Sequence, residues 1–283
     1  MRRPSVFFKK AIIITGAASG IGKALARLLN KHKARLYLLD LNEEGLLTLS
    51  ESLKKTNPNV FIFCFDVSDH ERFENFCQEF LKTETSPDYL FNNAGIGIGG
   101  EVKDLDIQTW KRIIEVNLFG TINGVQLFYP LMVKNRKGHI VNISSLAGLA
   151  PLPGEAPYVA SKYAIQGLTE ALEIEASFYN VKVTAVCPGV VRTPIYRTGA
   201  VIGFSKKKIL ELWPKGITAK DCAELILEGV EKGKRIVVIT AFAKAIYFAK
   251  RFFSSLLRLS FLRYFRIVKQ SKVRRGQSVQ NPG

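Results

Sequence analysis

Seven apolar runs of strand length recur along the chain, at 11–15 (AIIIT), 35–40 (RLYLLD), 60–65 (VFIFCF), 88–92 (DYLFN), 139–144 (HIVNIS), 181–187 (VKVTAVC) and 235–240 (RIVVIT). They read as nearly continuous hydrophobic stretches, not as an alternation of apolar and polar residues. Strands of that kind are buried on both faces, the condition of a parallel sheet covered by helices on each side. The stretches between them carry helical spacing: Leu25, Leu28 and Leu29 follow Gly20, and Leu46, Leu49 and Leu53 follow Asn42. Strands alternating with helices predict a doubly wound α/β domain with seven parallel strands over residues 1–240. A chain of 283 residues, 47% of them hydrophobic, can fill one large core or at most two small ones. No internal repeat recurs at a fixed period.

The stretch TGAASGIG at 15–22 sits between the first apolar run and the first helical pattern. Gly16 permits a tight turn, Gly20 lets the backbone approach a pyrophosphate, and Gly22 lets the helix pack close to the sheet. The helix then offers unpaired N–H groups, those of Ser19, Gly20 and Ile21 among them, to phosphate oxygens. A glycine cluster also makes ordinary strand-to-helix turns, and Asp40 separates the two readings. It ends the second run, 18 residues after Gly22, where a dinucleotide-binding sheet places the acid that accepts the adenosine ribose hydroxyls. Its carboxylate would repel a 2′-phosphate. Positions 17–19 (Ala, Ala, Ser) and 41–42 (Leu, Asn) supply no compensating cation, so NAD is favoured over NADP.

Tyr158 and Lys162 stand four apart on a helical pattern and therefore project from one face. Ser145 lies 13 residues before Tyr158, at the end of the fifth run, and ligand crevices in such sheets open at the carboxyl ends of strands. A free phenol has a pKa of about 10. A Lys ammonium at roughly 4 Å, at an effective dielectric near 20, contributes about 4 kcal/mol, or about 3 pKa units. That predicts a Tyr158 phenol moved towards 7, where general acid/base catalysis works best.

With these residues the sequence resembles the short-chain dehydrogenase/reductase family over about residues 9–240. The resemblance is carried by TGAASGIG at 15–22, Asp40, Asp66 and Val67, NNAG at 92–95, Asn117, Ser145, YVASK at 158–162 and PGVVRTP at 188–194. It implies a Rossmann-type fold and NAD(P)-dependent oxidation of alcohols or reduction of carbonyls. It also implies roles. Tyr158 would be the general acid/base, and Ser145 would orient the substrate oxygen. Lys162 would bind the nicotinamide ribose and lower the Tyr158 pKa, and Asn117 would support a water-linked proton relay. Asp66 and Val67 would flank the adenine, and Asn93, Ala94 and Gly95 would line the dinucleotide. Pro188, Gly189, Val191 and Thr193 would cover the nicotinamide end. Dimers or tetramers are common in the family. A dinucleotide-binding sensor or scaffold without turnover is the alternative, and the intact Ser145, Tyr158 and Lys162 argue against it.

The stretch between Thr193 and Thr218 holds Ile195, Tyr196, Val201, Ile202, Phe204, Ile209, Leu210, Leu212 and Trp213, and LAGLAPLPG after Ser145 is uncharged. Walls of that composition suit a steroid, a retinoid or another lipid-like alcohol or ketone, although the same residues would equally pack a helical flap. The basic cluster SKKK at 205–208 is expected to face solvent.

The formal charge of +17 is uneven. From Lys232 onward there are thirteen Lys or Arg and no Asp or Glu, which leaves 28 basic against 24 acidic residues in 1–231. A balanced body argues against nucleic-acid binding, which needs a basic patch on the folded face. If residues 241–270 form one helix, Lys244, Arg251, Arg258, Arg266 and Lys269 fall on one side of it, among Phe, Leu, Ile and Tyr. Such a basic amphipathic helix is expected at an anionic membrane surface; the alternative is a helix or helix pair packed on the domain. Residues 271–283 are polar, with Gly and Pro, and are expected to be disordered. The start MRRPSVFFKK lacks the apolar core of a secretory signal. Cys64, Cys77, Cys187 and Cys222 stand far apart and read as reduced thiols; with His32, His70 and His139 equally scattered, no metal site is expected. The expected location is cytoplasmic, peripheral on a membrane if the tail binds lipid.

Overall fold

The structure, a computed structural model, describes residues 5–195 and 199–270. Its centre is a seven-stranded parallel sheet built from β1 (Ala11–Thr15), β2 (Arg35–Asp40), β3 (Val60–Cys64), β4 (Tyr89–Asn92), β5 (Gly138–Ile143), β6 (Val181–Pro188) and β9 (Ile236–Ile239), in the order β3-β2-β1-β4-β5-β6-β9. A small parallel pair, β7 (Val191–Arg192) with β8 (Ile217–Thr218), stands apart from it. Each of the seven predicted runs is a strand of the sheet. Successive strand residues point to opposite faces, and both faces are covered. Ile12, Ile14, Leu36 and Leu38 join one core with α1 (Gly20–Asn30), α2 (Glu43–Lys54) and α8 (Ala219–Glu231). Ala11, Ile13, Tyr37 and Leu39 join the other with α3 (His70–Leu81), α5 (Gly120–Asn135) and α6 (Ala156–Ser177). In that second core the α3 rings Phe73, Phe76 and Phe80 close around Phe128, with Phe80 and Phe128 centroids 5.5 Å apart. Each buried Phe contributes about 1.5–3 kcal/mol.

The strand order reverses between β1 and β4, where a doubly wound sheet opens its ligand crevice. The carboxyl ends of β1, β4, β5 and β6 deliver Gly16, Asn93, Ser145 and Gly189 to that edge. α4 (Ile107–Ile114) runs into α5 through a π-helical turn, Glu115–Phe119, that carries Asn117 into the interior.

The C-terminal segment departs from one continuous helix. It forms α9 (Ala241–Phe252) and α10 (Ser254–Gln270), broken at Phe253. The single basic stripe expected over 241–270 is therefore split between two axes. Ala243, Ile246 and Phe261 pack on Leu146, Ala150 and Val238, so the pair is seated on the loop after β5. Phe248, Phe252, Phe253, Leu256 and Leu259 remain exposed, each at more than half of full accessibility. No helix among the described residues is long and apolar enough to cross a membrane. The tail expected to be disordered, 271–283, lies outside the described residues.

Candidate active site

The glycine turn is built as a cradle. Gly16 and Gly20 have φ of 66° and 50°, a region costly for residues with a Cβ. A Cβ on Gly20 would meet the Thr193 side chain at 3.3 Å, and one on Gly22 would lie 2.1 Å from the Gly16 carbonyl oxygen. Gly22 thus fits the helix against the turn itself and does not line the crevice. Thr15 and Asn93 fix the cradle from beneath: the Asn93 side chain donates to the Thr15 and Gly16 carbonyls at 2.9 and 3.2 Å, while Thr15 Oγ1 accepts the Asn93 and Ala94 N–H groups. Ser19 is the N-cap of α1, yet its side chain makes no cap bond, which leaves its hydroxyl to the crevice.

Asp40 orders the same turn. Its carboxylate accepts from the N–H of Ala18 and that of Asn42, both at 2.9 Å. Asp66 accepts from the Ser68 N–H and hydroxyl and from Arg112, whose Nη2 lies 2.7 Å away. Burial alone would raise the Asp66 pKa; the Ser68 and Arg112 bonds outweigh it and hold the carboxyl below its usual value. Arg112 also lines this pocket and was not anticipated, because 46 residues separate it from Asp66.

One elongated pocket brings together Gly16, Ser19, Gly20, Ile21, Asp40, Asp66, Val67, Asn93, Ala94, Gly95, Ser145, Tyr158, Lys162, Pro188, Gly189, Val191 and Thr193. Of the residues expected to bind cofactor, only Gly22 stands outside it. The positive-φ cradle, the free Ser19 hydroxyl and the carboxylate at the end of β2 fit a dinucleotide with its pyrophosphate on the α1 N-terminus.

At the other end of this pocket, Lys162 is buried and its Nζ donates to the Ile143 carbonyl at 2.9 Å. Burial lowers its pKa to about 8. The Tyr158 phenol is also displaced, in the direction opposite to that expected. Burial pushes it up to about 12, the Ser145 hydroxyl pulls down by hydrogen bonding, and Glu155 pushes up again. The expected fall towards 7 assumed an ammonium at 4 Å; Lys162 Nζ instead serves Ile143 and sits 5.6 Å from the Tyr158 ring centroid. Asn117 is fully buried, and its amide is engaged on both sides. Oδ1 accepts from Ile96 N at 2.8 Å, while Nδ2 donates to the Ile96 carbonyl and Ser161 Oγ at 3.0 and 2.9 Å.

A second pocket adjoins the first and shares Ser145, Tyr158, Gly189 and Ile195 with it. Its walls include Ile98, Leu146, Leu152, Val201, Phe204, Ile209, Leu210 and Trp213. Ile202 and Leu212 do not line it, and Tyr196 lies outside the described residues. Lys207 and Lys208 face solvent as expected, but Lys206 lines the pocket, its Nζ donating to the Gly199 carbonyl at 2.8 Å. Tyr264 and Val268 of α10 complete the wall; Trp213 Nε1 donates to the Tyr264 hydroxyl at 2.9 Å, and Phe265 meets Phe204 edge-on. The helix pair thus packs on the domain, the alternative to a lipid surface, and one side of it closes the pocket, which the sequence pattern alone does not reveal. Among the described residues no cluster of His, Cys, Asp and Glu could hold a metal.

A doubly wound sheet with a phosphate cradle at its switch point, joined to an apolar pocket through a serine and a tyrosine, defines a dinucleotide-dependent oxidoreductase. The pattern of the short chain dehydrogenase family matches residues 10–199, and the chain belongs to that family of NAD(P)-dependent enzymes. It is 35% identical over 248 residues to the SadH protein of Mycobacterium tuberculosis, covering 86% of this chain and 90% of that one. The fold superimposes on a short chain dehydrogenase/reductase from Burkholderia phymatum in complex with NAD with a TM-score of 0.76 and 26% identity, over 98% of this chain and 99% of that one. It also superimposes on a short chain dehydrogenase from Burkholderia cenocepacia in complex with NADP, with TM-score 0.76 and 26% identity over 90% and 98% of the two chains.

Proposed function

We propose that the chain transfers a hydride between NAD(H) and an apolar alcohol or ketone, with Tyr158 as the general acid and base. The observation that carries this reading is that Ser145 and Tyr158 line both pockets, whereas Lys162 lines only the one fitted to a dinucleotide. Gly16, Ser19, Gly20 and Ile21 would hold the pyrophosphate, Asp40 the adenosine ribose, and Asp66 with Val67 the adenine. Asn93, Ala94 and Gly95 would line its middle, and Pro188, Gly189, Val191 and Thr193 its reactive end. Bound there, the nicotinamide supplies or accepts the hydride.

In reduction, the Ser145 hydroxyl donates to the carbonyl oxygen, and Tyr158 gives that oxygen its phenolic proton as the new C–H bond forms. Oxidation runs in reverse, with the Tyr158 phenolate taking the alcohol proton. A phenol raised by burial stays protonated near neutrality and is ready as the acid. Lys162, still largely cationic at pH 7, stabilises the phenolate when Tyr158 acts as the base. Asn117 serves both by holding Ile96 against Ser161 of the helix that carries Tyr158 and Lys162.

NAD is favoured because the Asp40 carboxylate repels a 2′-phosphate, while the Arg112 guanidinium is committed to Asp66. The apolar walls of the second pocket favour a steroid, retinoid or lipid-like substrate. Parallel assays of hydrophobic alcohols and ketones with NAD(H) and NADP(H) test both points. Cofactor binding without turnover on any of them would favour the sensor alternative.

The exposed face of the C-terminal helices supports a peripheral contact with anionic lipid. Phe248, Phe252 and Phe253 form one aromatic cluster at the break, with ring centroids 4.7 and 6.2 Å apart, and Arg251 lies over the Phe252 ring at 5.7 Å. Aromatic residues beside basic ones on a helix surface suit a headgroup boundary. Flotation with phosphatidylserine-containing vesicles should be lost when Phe252, Phe253 and Leu256 are each changed to Glu; equal flotation would contradict it.

A further inference from the structure

The substrate pocket is apolar along most of its wall, and one carboxyl lies in it. Glu155 lines it beside Leu152, Pro153 and Tyr158. It is the N-cap of α6, yet its side chain makes no cap bond. No described residue donates a hydrogen bond to the Glu155 carboxyl or pairs with it as an ion, and burial pushes its pKa up to about 7. The side chain is half-buried, and a partly desolvated carboxyl without a partner is costly in a folded chain. Its charge is felt by Tyr158 and by Tyr264, both of which line the same pocket, so it stands within electrostatic reach of the Tyr158 hydroxyl.

We infer that Glu155 is a second anchor for the substrate: the apolar alcohol or ketone handled at Tyr158 carries a further hydroxyl, which the Glu155 carboxyl accepts. The inference rests on the hydride-transfer reading above. Glu155 and Tyr158 are three residues apart at the start of a helix, a spacing of roughly 5–6 Å between Cβ atoms. The second hydroxyl therefore belongs within a few bonds of the reacting carbon, as in a ring hydroxyketone. A neutral donor fits better than a cationic amine, which would have to shed its own hydration among apolar walls. A pocket that holds such a carboxyl discriminates strongly, because a substrate lacking the hydroxyl leaves the acid unpaired.

The test is reduction of 2-hexylcyclohexanone and of its 3-, 4- and 5-hydroxy derivatives by the wild type, Glu155→Gln and Glu155→Leu. NADH fluorescence titration of each variant reports whether the fold and the dinucleotide pocket are intact. The wild type should prefer at least one hydroxyketone over the parent by about 10- to 100-fold in kcat/KM, the range of one hydrogen bond to a charged group. Glu155→Gln, which keeps an acceptor oxygen, should retain part of that preference. Glu155→Leu should lose it and gain on the parent ketone. Equal use of parent and hydroxyketones by the wild type, or an unchanged ratio in Glu155→Leu, overturns the inference while leaving hydride transfer standing. Absence of turnover on every ketone overturns the hydride-transfer reading and the inference with it.

Discussion

The Lys162 ammonium donates to the carbonyl oxygen of Ile143 at 2.9 Å, and the Ser144 hydroxyl returns a bond to the Lys162 carbonyl at 3.0 Å. The helix that carries Tyr158 is thereby latched to the strand end that presents Ser145. The latch fixes Tyr158 relative to Ser145, and it holds a cation in a buried place.

That burial has a measurable consequence. Lys162 falls to about 8 in the folded chain from an ordinary value of 10.5, so the unfolded chain binds its proton more tightly. Its contribution to stability is present above pH 10.5 and is lost as pH falls through 8, a penalty of roughly 3 kcal/mol at neutrality. Lys162→Met removes the penalty. Relative to the wild type, its melting temperature should be highest near pH 6–7 and should lose that advantage by pH 10, while its turnover falls at least about 100-fold. A melting difference independent of pH would contradict the assignment.

Glu155 titrates with the opposite dependence. Its folded pKa, about 7, lies above the ordinary 4.5, so the wild type loses stability as pH rises through that interval. Glu155→Gln carries no such penalty. It should be more stable than the wild type at pH 8, by about 1–3 kcal/mol, and nearly equal to it at pH 4.5, as read by denaturant titration at both values.

In the proposed reading Asp40 discriminates between the two dinucleotides. Asp40→Asn keeps an acceptor for the Ala18 N–H and removes the charge that would face a 2′-phosphate. The ratio of kcat/KM with NADP to that with NAD should rise by about tenfold or more. An unchanged ratio would place the 2′-position away from Asp40.

Much of this site was legible in the sequence because its parts are local. The cradle at 15–22, the acid that ends β2, and the Ser145, Tyr158 and Lys162 set each lie within a short stretch or at the end of an apolar run. What was not legible depends on long-range packing. Arg112 of α4 reaches Asp66 across 46 residues, and Tyr264 reaches Trp213 across 51. The break at Phe253 has no proline or glycine to announce it. Helical spacing brings Lys162 to the Tyr158 face but does not reveal that its ammonium is bonded to Ile143.

The most direct measurement is the turnover of Tyr158→Phe with any substrate that the wild type uses, paired with a dinucleotide titration. The variant keeps the ring and its packing and loses only the hydroxyl proposed to donate and accept the proton. Dinucleotide affinity should stay within about threefold of the wild type while kcat falls by at least about 10³-fold, consistent with loss of general acid/base catalysis and of one oriented hydroxyl. Tyr158→Phe turning over at the wild-type rate would contradict the mechanism.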